Sequence, residues 1–81
     1  MWLVYVLRSL KNGRFYTGST NDLERRLAEH ARGKTLYTRN AGPFELVFKE
    51  EHETRLEARR REFFLKSGQG REELKRLLSG H

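Results

Sequence analysis

The chain begins with a short apolar run over residues 2–7, in which β-branched and aromatic side chains are bounded by polar ones. Such a run predicts a buried β-strand. Lys11-Asn12-Gly13 follows it, and an Asn-Gly pair between two strand-like segments is the strongest short signal of a hairpin turn. We therefore expect residues 14–18 to return as a second strand, antiparallel to the first.

Helical periodicity begins after this hairpin. Asn21 or Asp22 can cap a first helix that continues to about Ala31, because short polar side chains at this position accept hydrogen bonds from the first free backbone amides. Gly33 is placed to end this helix, since glycine commonly occupies the position after the last helical residue.

The next elements are a third strand and a second helix. Gly42-Pro43 breaks the chain, and residues 44–48 then alternate between apolar and polar positions as a strand does. Thr54-Arg55-Leu56-Glu57 has the pattern of a capping box, in which the threonine and the glutamate satisfy backbone amides at a helix start. This pattern predicts a helix that runs to about Lys66.

The last predicted element is a short helix over residues 71–78, separated from the second helix by Ser67-Gly68-Gln69-Gly70. Its face formed by Leu74, Leu77 and Leu78 is expected to close the core. The resulting order is β-β-α-β-α-α, an α/β (more narrowly α+β) fold with a small three-stranded antiparallel sheet flanked by helices. Because 81 residues suffice for one core but not for two, we expect residues 1–81 to form a single domain.

The composition narrows the function classes. The chain has 17 Lys+Arg against 11 Asp+Glu, a net charge of +6, which favours a polyanionic partner and nucleic acid first, although small charged domains can also be basic for solubility. The absence of cysteine excludes disulfides, thiolate nucleophiles and cysteine-based zinc sites. The apolar start is too short for a membrane span and lacks the basic region of a signal peptide, so we expect a cytoplasmic protein without membrane contact.

Two tyrosines, one on each strand of the hairpin, are the first candidates for chemistry. From their spacing alone, packing is the commoner role for both Tyr5 and Tyr16, ahead of catalysis. Thr17-Gly18 removes side-chain bulk, so that a backbone or a ligand can approach the second strand closely. Arg26 and His30, at i and i+4, lie on one face of the first helix. A helix face exposed to solvent would also tolerate an arginine and a histidine, so this pair alone does not decide between the two roles.

The second helix carries Arg59-Arg60-Arg61 followed by Glu62 and two phenylalanines. The arginine run could be an exposed stripe. A carboxylate at the border of an apolar face is either the partner of a nearby arginine or a metal ligand, and the residues alone favour the salt bridge.

Taken together and in order, short motifs along the chain resemble the GIY-YIG nuclease family, which includes the incision module of bacterial DNA excision repair. The similarity is greatest to its small stand-alone bacterial members and covers nearly the whole chain. No single motif is specific, but their order and spacing are. The matching segments are Leu3-Val4-Tyr5-Val6-Leu7, Tyr16-Thr17-Gly18, Asn21 through Arg26 with His30, Tyr37-Thr38-Arg39, Gly42-Pro43, and Glu57-Ala58 with Glu62.

The resemblance implies a role for each candidate residue. Tyr5 and Tyr16 match the two motif tyrosines, one of which would orient or deprotonate the attacking water. Arg26 matches the arginine that stabilises charge on the phosphate, and His30 matches a position for a proton shuttle. Glu62 matches the single glutamate that binds a divalent metal, Mg²⁺ or Mn²⁺, and one carboxylate can suffice for Mg²⁺ because substrate oxygens and water complete its coordination.

The predicted function is therefore a metal-dependent endonuclease that hydrolyses phosphodiester bonds in DNA, with RNA left open, and with a preference for structure or little selectivity. The alternative is a non-catalytic nucleic-acid-binding module of the same fold that acts with a protein partner, and a third reading is a protein-interaction adaptor. The candidate contacts to the nucleic-acid backbone are Arg25, Arg32, Lys34, Arg39, Arg59, Arg60 and Arg61.

Overall fold

The apolar run at the start of the chain forms the central strand of the sheet. A computed structural model of the protein describes residues 1–32 and 42–79. Strand β1, Trp2–Ser9, lies between β2, Phe15–Thr20, and β3, Phe44–His52, and pairs with both in antiparallel orientation. Its residues 4–7 are all buried, as expected for a strand covered on both faces.

Three helices complete the predicted order β-β-α-β-α-α, which the structure confirms together with the antiparallel sheet. They are α1, Leu23–Ala31, α2, Arg55–Lys66, and α3, Gly68–Ser79. Within the described part of the chain, no helix has the length and apolar character that crossing a membrane requires.

The side chains of β1 alternate between two layers, as the strand repeat of two residues requires. Val4 and Val6 point to the layer formed by α2 and α3, where they join the buried cluster completed by Ala58, Leu65 and Leu74. Tyr5 points the other way and contacts α1 through His30. The central strand therefore carries the hydrophobic core on one face and a polar, titratable group on the other.

The hairpin turn confirms the prediction from the Asn-Gly pair. Gly13 has a φ of 74°, a left-handed conformation that glycine adopts without steric cost. Its amide donates to the Ser9 carbonyl at 2.8 Å, and the Arg14 amide donates to Oδ1 of Asn12 at 2.9 Å. The turn fixes the strand register, which places Tyr5 opposite Gly18 and Leu7 opposite Tyr16.

Local capping rules locate the starts of α1 and α2. Asp22, and not Asn21, caps α1, because its Oδ1 accepts from the Arg25 amide at 3.1 Å. Thr54 caps α2 by accepting from the Glu57 amide at 3.2 Å, as the capping box predicts. Gly33, predicted to end α1, lies outside the described residues.

The strand boundaries differ from the predictions for β2 and β3. β2 covers Phe15–Thr20 instead of 14–18, and β3 continues to His52 instead of ending at residue 48. Both extensions follow from pairing, because the start of β1 offers partners to the ends of its neighbours: Leu3 lies opposite Thr20 of β2, and Trp2 lies opposite His52 of β3. The strand lengths are thus set by the neighbouring strand and not by the alternation of the segment itself.

The helix α3 begins at Gly68, earlier than predicted. Ser67 explains this difference, because its Oγ accepts from the Gly70 amide at 3.1 Å and its carbonyl accepts from the Arg71 amide at 2.9 Å. A serine cap thus outweighs the low helix propensity of the glycines. The predicted leucine face is only partly buried, since Leu74 is enclosed but Leu77 is exposed.

The packing of α3 on α2 predicts a specific sensitivity at Gly70. A Cβ atom there would collide with the Phe64 carbonyl oxygen, so the two helices would have to move apart. We expect Gly70→Ala to lower the free energy of unfolding by about 1–3 kcal/mol. Urea denaturation followed by circular dichroism measures this change.

Gly68→Ala is the matched control, because a Cβ atom at Gly68 meets nothing within 4 Å. It should leave stability unchanged or raise it slightly, since alanine restricts the unfolded chain. Equal stability of the two variants would contradict the close approach of α2 and α3.

Candidate functional site

The Tyr5 hydroxyl occupies the space that a side chain at position 18 would otherwise fill. Tyr5 is only 2% exposed. A Cβ atom built on Gly18, its cross-strand partner, would lie 2.5 Å from the Tyr5 hydroxyl oxygen. The sequence analysis expected close approach at Thr17-Gly18, and the group that approaches is the tyrosine of the neighbouring strand.

The first helix supplies both hydrogen-bond partners of this hydroxyl. His30 Nε2 lies 3.0 Å from the Tyr5 oxygen, and Arg26 Nε donates to the same oxygen at 3.3 Å. The spacing of i and i+4 brings both side chains to one face of α1, as predicted. Arg26 is oriented further by Glu29, whose Oε1 accepts from Nη1 at 3.0 Å.

The surroundings make Tyr5 a weaker acid than a free tyrosine. Burial raises the pKa of its hydroxyl, and the hydrogen bond and charge of Arg26 oppose this shift without overcoming it. Arg26 alone therefore does not provide the downward shift that a tyrosine base would need. At neutral pH the hydroxyl is protonated and can donate a hydrogen bond.

His30 is suited to accept that hydrogen bond. Burial lowers its pKa below the ordinary value, and the charge of Arg26 acts in the same direction, while Glu29 opposes it. The imidazole is consequently neutral near pH 7 and has one ring nitrogen available as an acceptor. We assign the Tyr5 hydroxyl as donor to Nε2, which leaves the hydroxyl oxygen to accept from Arg26.

Aromatic packing holds the second tyrosine. The rings of Tyr16 and Phe44 meet edge to face with centroids 5.6 Å apart, and Phe44 contacts the His30 ring in the same manner at 6.1 Å. Phe44 thus links the start of β3 to both a motif tyrosine and the histidine of α1.

Glu62 approaches from the opposite layer, on α2. Its side chain is 14% exposed and accepts from Ser19 Oγ at 2.7 Å. Lys66 Nζ lies 2.8 Å from its second oxygen, and Arg59 Nε lies 3.7 Å from the first. The salt bridge favoured by the sequence is therefore present. Glu62 also lines the same cavity as Tyr5.

All five residues predicted for catalysis and metal binding line one cavity of about 260 Å³ beside the edge strand β2. They are Tyr5, Tyr16, Arg26, His30 and Glu62, and the other lining residues are Thr17, Gly18, Ser19, Arg59 and Lys66. Helix α1 borders the cavity on one side and α2 on the other. The cavity is thus lined by tyrosines of the sheet and by Arg26 and His30 of α1 on one side, and by the charged side chains of α2 on the other.

The donor set suits a weakly held, oxygen-preferring divalent ion. Across residues 1–32 and 42–79 there is no cluster of three or more acidic or histidine side chains that could enclose a metal. Glu62 is the one carboxylate among the described residues that line the cavity. Mg²⁺ commonly binds through one or two carboxylates together with water and substrate phosphate, and such an ion fits this arrangement.

Comparison with known proteins agrees with this geometry. The sequence pattern described as the GIY-YIG catalytic domain matches residues 1–75. The chain belongs to the GIY-YIG family. This confirms the resemblance noted from the motifs and places the chain among proteins of nuclease type.

The relatives are small proteins that share most of the chain. A UPF0213 protein of Clostridium perfringens is 44% identical over 64 residues, which cover 78% of this chain and 68% of that protein. A UPF0213 protein of Staphylococcus saprophyticus is 33% identical over 78 residues, 95% of this chain and 94% of the relative. The solution NMR structure of a UPF0213 protein from Bacillus halodurans is 42% identical, with a TM-score of 0.58 over 95% of this chain and 85% of that one. These names state no substrate or metal.

The arginines predicted to contact nucleic acid separate into groups in this GIY-YIG domain. Arg59 lines the cavity, whereas Arg61 does not and instead forms ion pairs with Glu50 at 3.0 Å and Glu73 at 3.3 Å. Arg61 thus ties α2 to β3 and α3. The remaining described candidates are exposed on or next to α1 and α2, namely Arg25, Arg32 and Arg60. Lys34 and Arg39 lie outside the described residues.

Sequence reasoning missed three residues of the site. Lys66 was visible at i+4 from Glu62, but only as a helix-face neighbour. Ser19 and Phe44 gave no signal, because their contacts join segments that are distant along the chain.

The burial of His30 predicts a pH-dependent stability. Its folded-state pKa is lowered, so below the unfolded value of about 6.5 the unfolded chain binds more protons than the folded protein. The free energy of unfolding should therefore fall as the pH decreases through about 6.5, and level off below the folded-state pKa. Chemical denaturation between pH 7.5 and 5 measures this fall.

His30→Gln should remove this part of the pH dependence, whereas His52→Gln, which leaves His30 in place, should retain it. If the difference between wild type and His30→Gln were constant across the pH range, the neutral, buried state of His30 would be wrong.

Proposed function

We propose that this protein is a metal-dependent endonuclease that hydrolyses phosphodiester bonds in DNA. The observation that carries the proposal is the meeting of Tyr5, His30, Arg26 and Glu62 around one cavity at the sheet edge. Family membership supports the reaction class. The site chemistry supports the division of roles that follows.

In this proposal the cationic side chains of the cavity bind the substrate phosphate. Arg26 is permanently charged, and its planar fork suits the non-bridging oxygens of a phosphodiester. Arg59 and Lys66 face the same space from α2. These cations stabilise the negative charge that grows on the phosphoryl oxygens during attack.

Water activation follows the hydrogen bonds of Tyr5. Because its pKa is raised, Tyr5 carries its proton before the reaction. As the water attacks phosphorus, its proton passes to the Tyr5 oxygen, and the Tyr5 proton passes to Nε2 of neutral His30. Arg26 Nε stabilises the negative charge on the phenol oxygen during this transfer. These contacts support Tyr5 as the tyrosine that handles the proton.

Glu62 is the residue that would hold a divalent ion, Mg²⁺ or Mn²⁺. When bound, such an ion polarises the phosphoryl group and neutralises the departing alkoxide. Each carboxylate oxygen of Glu62 has two lone pairs, so Glu62 could coordinate an ion while it keeps its hydrogen bond from Ser19. Lys66 lines the same cavity, where its charge would lie close to a phosphate bound beside Glu62.

The substrate contacts proposed so far carry no base information, since contacts to phosphate position a nucleic acid without reading its sequence. We therefore propose a preference for structure or low selectivity, and propose DNA as the first substrate to examine with RNA as a comparison.

One observation favours a second function, a non-catalytic nucleic-acid-binding module. Glu62 is paired with the charge of Lys66 at 2.8 Å and accepts a hydrogen bond from the Ser19 hydroxyl, so its carboxylate has satisfied partners without a metal. A module of this kind would bind nucleic acid in a salt-sensitive manner and would cut nothing.

Cleavage of labelled DNA in Mg²⁺, Mn²⁺ or EDTA separates the two functions. We expect metal-dependent cutting that Glu62→Gln reduces by at least about 100-fold, because metal stabilisation of the transition state is lost. Arg26→Ala should reduce it by about 100- to 1,000-fold. Glu57→Gln is the matched control, since Glu57 is an exposed carboxylate of the same helix outside the cavity lining, and it should cut at the wild-type rate.

Wild-type rates in both Glu62→Gln and Arg26→Ala would refute the site assignment. Salt-sensitive binding without any cutting would establish the binding module instead. A protein that neither binds nor cuts nucleic acid would point to the adaptor reading.

A further inference from the structure

We propose that Phe63 and Arg59 form a stacking platform for an unpaired nucleobase at the rim of the catalytic cavity. The inference deepens the proposed function, on which it rests, by naming single-stranded nucleic acid or a single-stranded end as the substrate class. It assigns a role to an exposed aromatic residue that the cleavage chemistry does not use.

Phe63 presents a large apolar surface to solvent on α2. The residue is 65% exposed, the highest value among the exposed aromatic residues in the described part of the chain. A single exposed phenylalanine is unremarkable in itself, since much of a protein surface is apolar. Its significance here comes from its neighbour and its position.

Arg59 connects this ring to the catalytic cavity. Its guanidinium carbon lies 5.8 Å from the centroid of the Phe63 ring, within the range of a cation–π contact. The Nε atom of the same side chain lies 3.7 Å from Oε1 of Glu62, and Arg59 lines the cavity. A nucleotide whose phosphate lies near Glu62 therefore has an arginine and an aromatic ring immediately beside it.

The next phenylalanine provides an internal comparison. Arg61 lies over Phe64 at 5.4 Å, but its guanidinium is held by Glu50 at 3.0 Å and by Glu73 at 3.3 Å. That pair fastens α2 to β3 and α3. The Phe63 and Arg59 pair faces solvent, and its carboxylate neighbour Glu62 is already shared with Lys66.

The charge beside the platform indicates its occupant. Arg59 lies at the ring, and Arg60, which is also exposed, precedes Phe63 by three residues, a spacing that places it on the same side of the helix. Two cations beside an apolar ring complement a polyanionic chain. Aromatic rings beside basic side chains are the usual means of holding single strands, because any base offers a face for stacking. In a duplex the base faces already stack on one another, so an unpaired base gains most from Phe63.

The test is a binding measurement in EDTA, where no cleavage occurs. Fluorescence anisotropy at fixed salt compares a single-stranded oligonucleotide, an all-abasic strand of the same length and a duplex. The variants are Phe63→Leu, which keeps apolar bulk but removes the ring, and Phe63→Trp, which restores a ring. Leu77→Ala is the control for loss of an exposed apolar side chain elsewhere.

We expect Phe63→Leu to weaken single-strand binding by about 5- to 150-fold, the range for one lost base stack. Binding of the all-abasic strand and of the duplex should change by less than about twofold, because neither offers an unpaired base. Phe63→Trp should bind the single strand at least as tightly as wild type, and Leu77→Ala should match wild type.

Unchanged single-strand affinity in Phe63→Leu, or an equal loss on the abasic strand, would overturn the platform. The molar mass of wild type and Phe63→Leu is also measured by analytical ultracentrifugation. If Phe63→Leu changes only this mass and not nucleic-acid binding, the surface serves self-association and the platform is wrong. Nuclease activity is measured separately, so the two proposals can fail independently. Binding that depends on Phe63, without any cleavage, would contradict only the proposed reaction. Cleavage together with binding that does not depend on Phe63 would contradict only the platform.

Discussion

The arrangement of the site depends on a single buried hydroxyl. Tyr5 lies on the central strand, and its phenol oxygen must find partners, because a buried polar group without a hydrogen bond costs about 1–3 kcal/mol. Arg26 and His30 provide these partners, which fixes α1 against the sheet. The hydroxyl can reach them only because the opposite residue is Gly18, where any Cβ atom would collide with it. Strand register, glycine and helix position are thus parts of one constraint.

The same constraint determines the electrostatics of the cavity. Burial keeps Tyr5 protonated and His30 neutral, so these two residues form a hydrogen-bonded pair and not an ion pair. The charges lie around them, with Arg26 on α1 and Lys66 beside Glu62 on α2. Neutral Tyr5 and His30, surrounded by the cations Arg26 and Lys66, suit a reaction in which water attacks a polyanion.

The sequence predicts the features that local rules decide. The hairpin follows from Asn12-Gly13, the start of α2 from Thr54, and the common face of Arg26 and His30 from helix spacing. Features decided by distant segments escape it. Ser19 meets Glu62 only after folding, and the upward pKa shift of Tyr5 comes from burial that no local pattern reveals. The start of α3 is a local feature, since Ser67 caps it, but the glycines that follow Ser67 obscure this signal in the sequence.

The coupling of Tyr5 to His30 is tested most directly by a double-mutant cycle on single-turnover DNA cleavage. Tyr5→Phe and His30→Gln should each slow cleavage by about 100- to 10,000-fold, the contribution of a positioned proton carrier. In the proposed mechanism one proton passes through both residues, so the double variant should be no slower than the slower single variant. Losses that multiply in the double variant would show that the two side chains act independently, and would contradict the hydrogen-bonded pair as the working unit of the site.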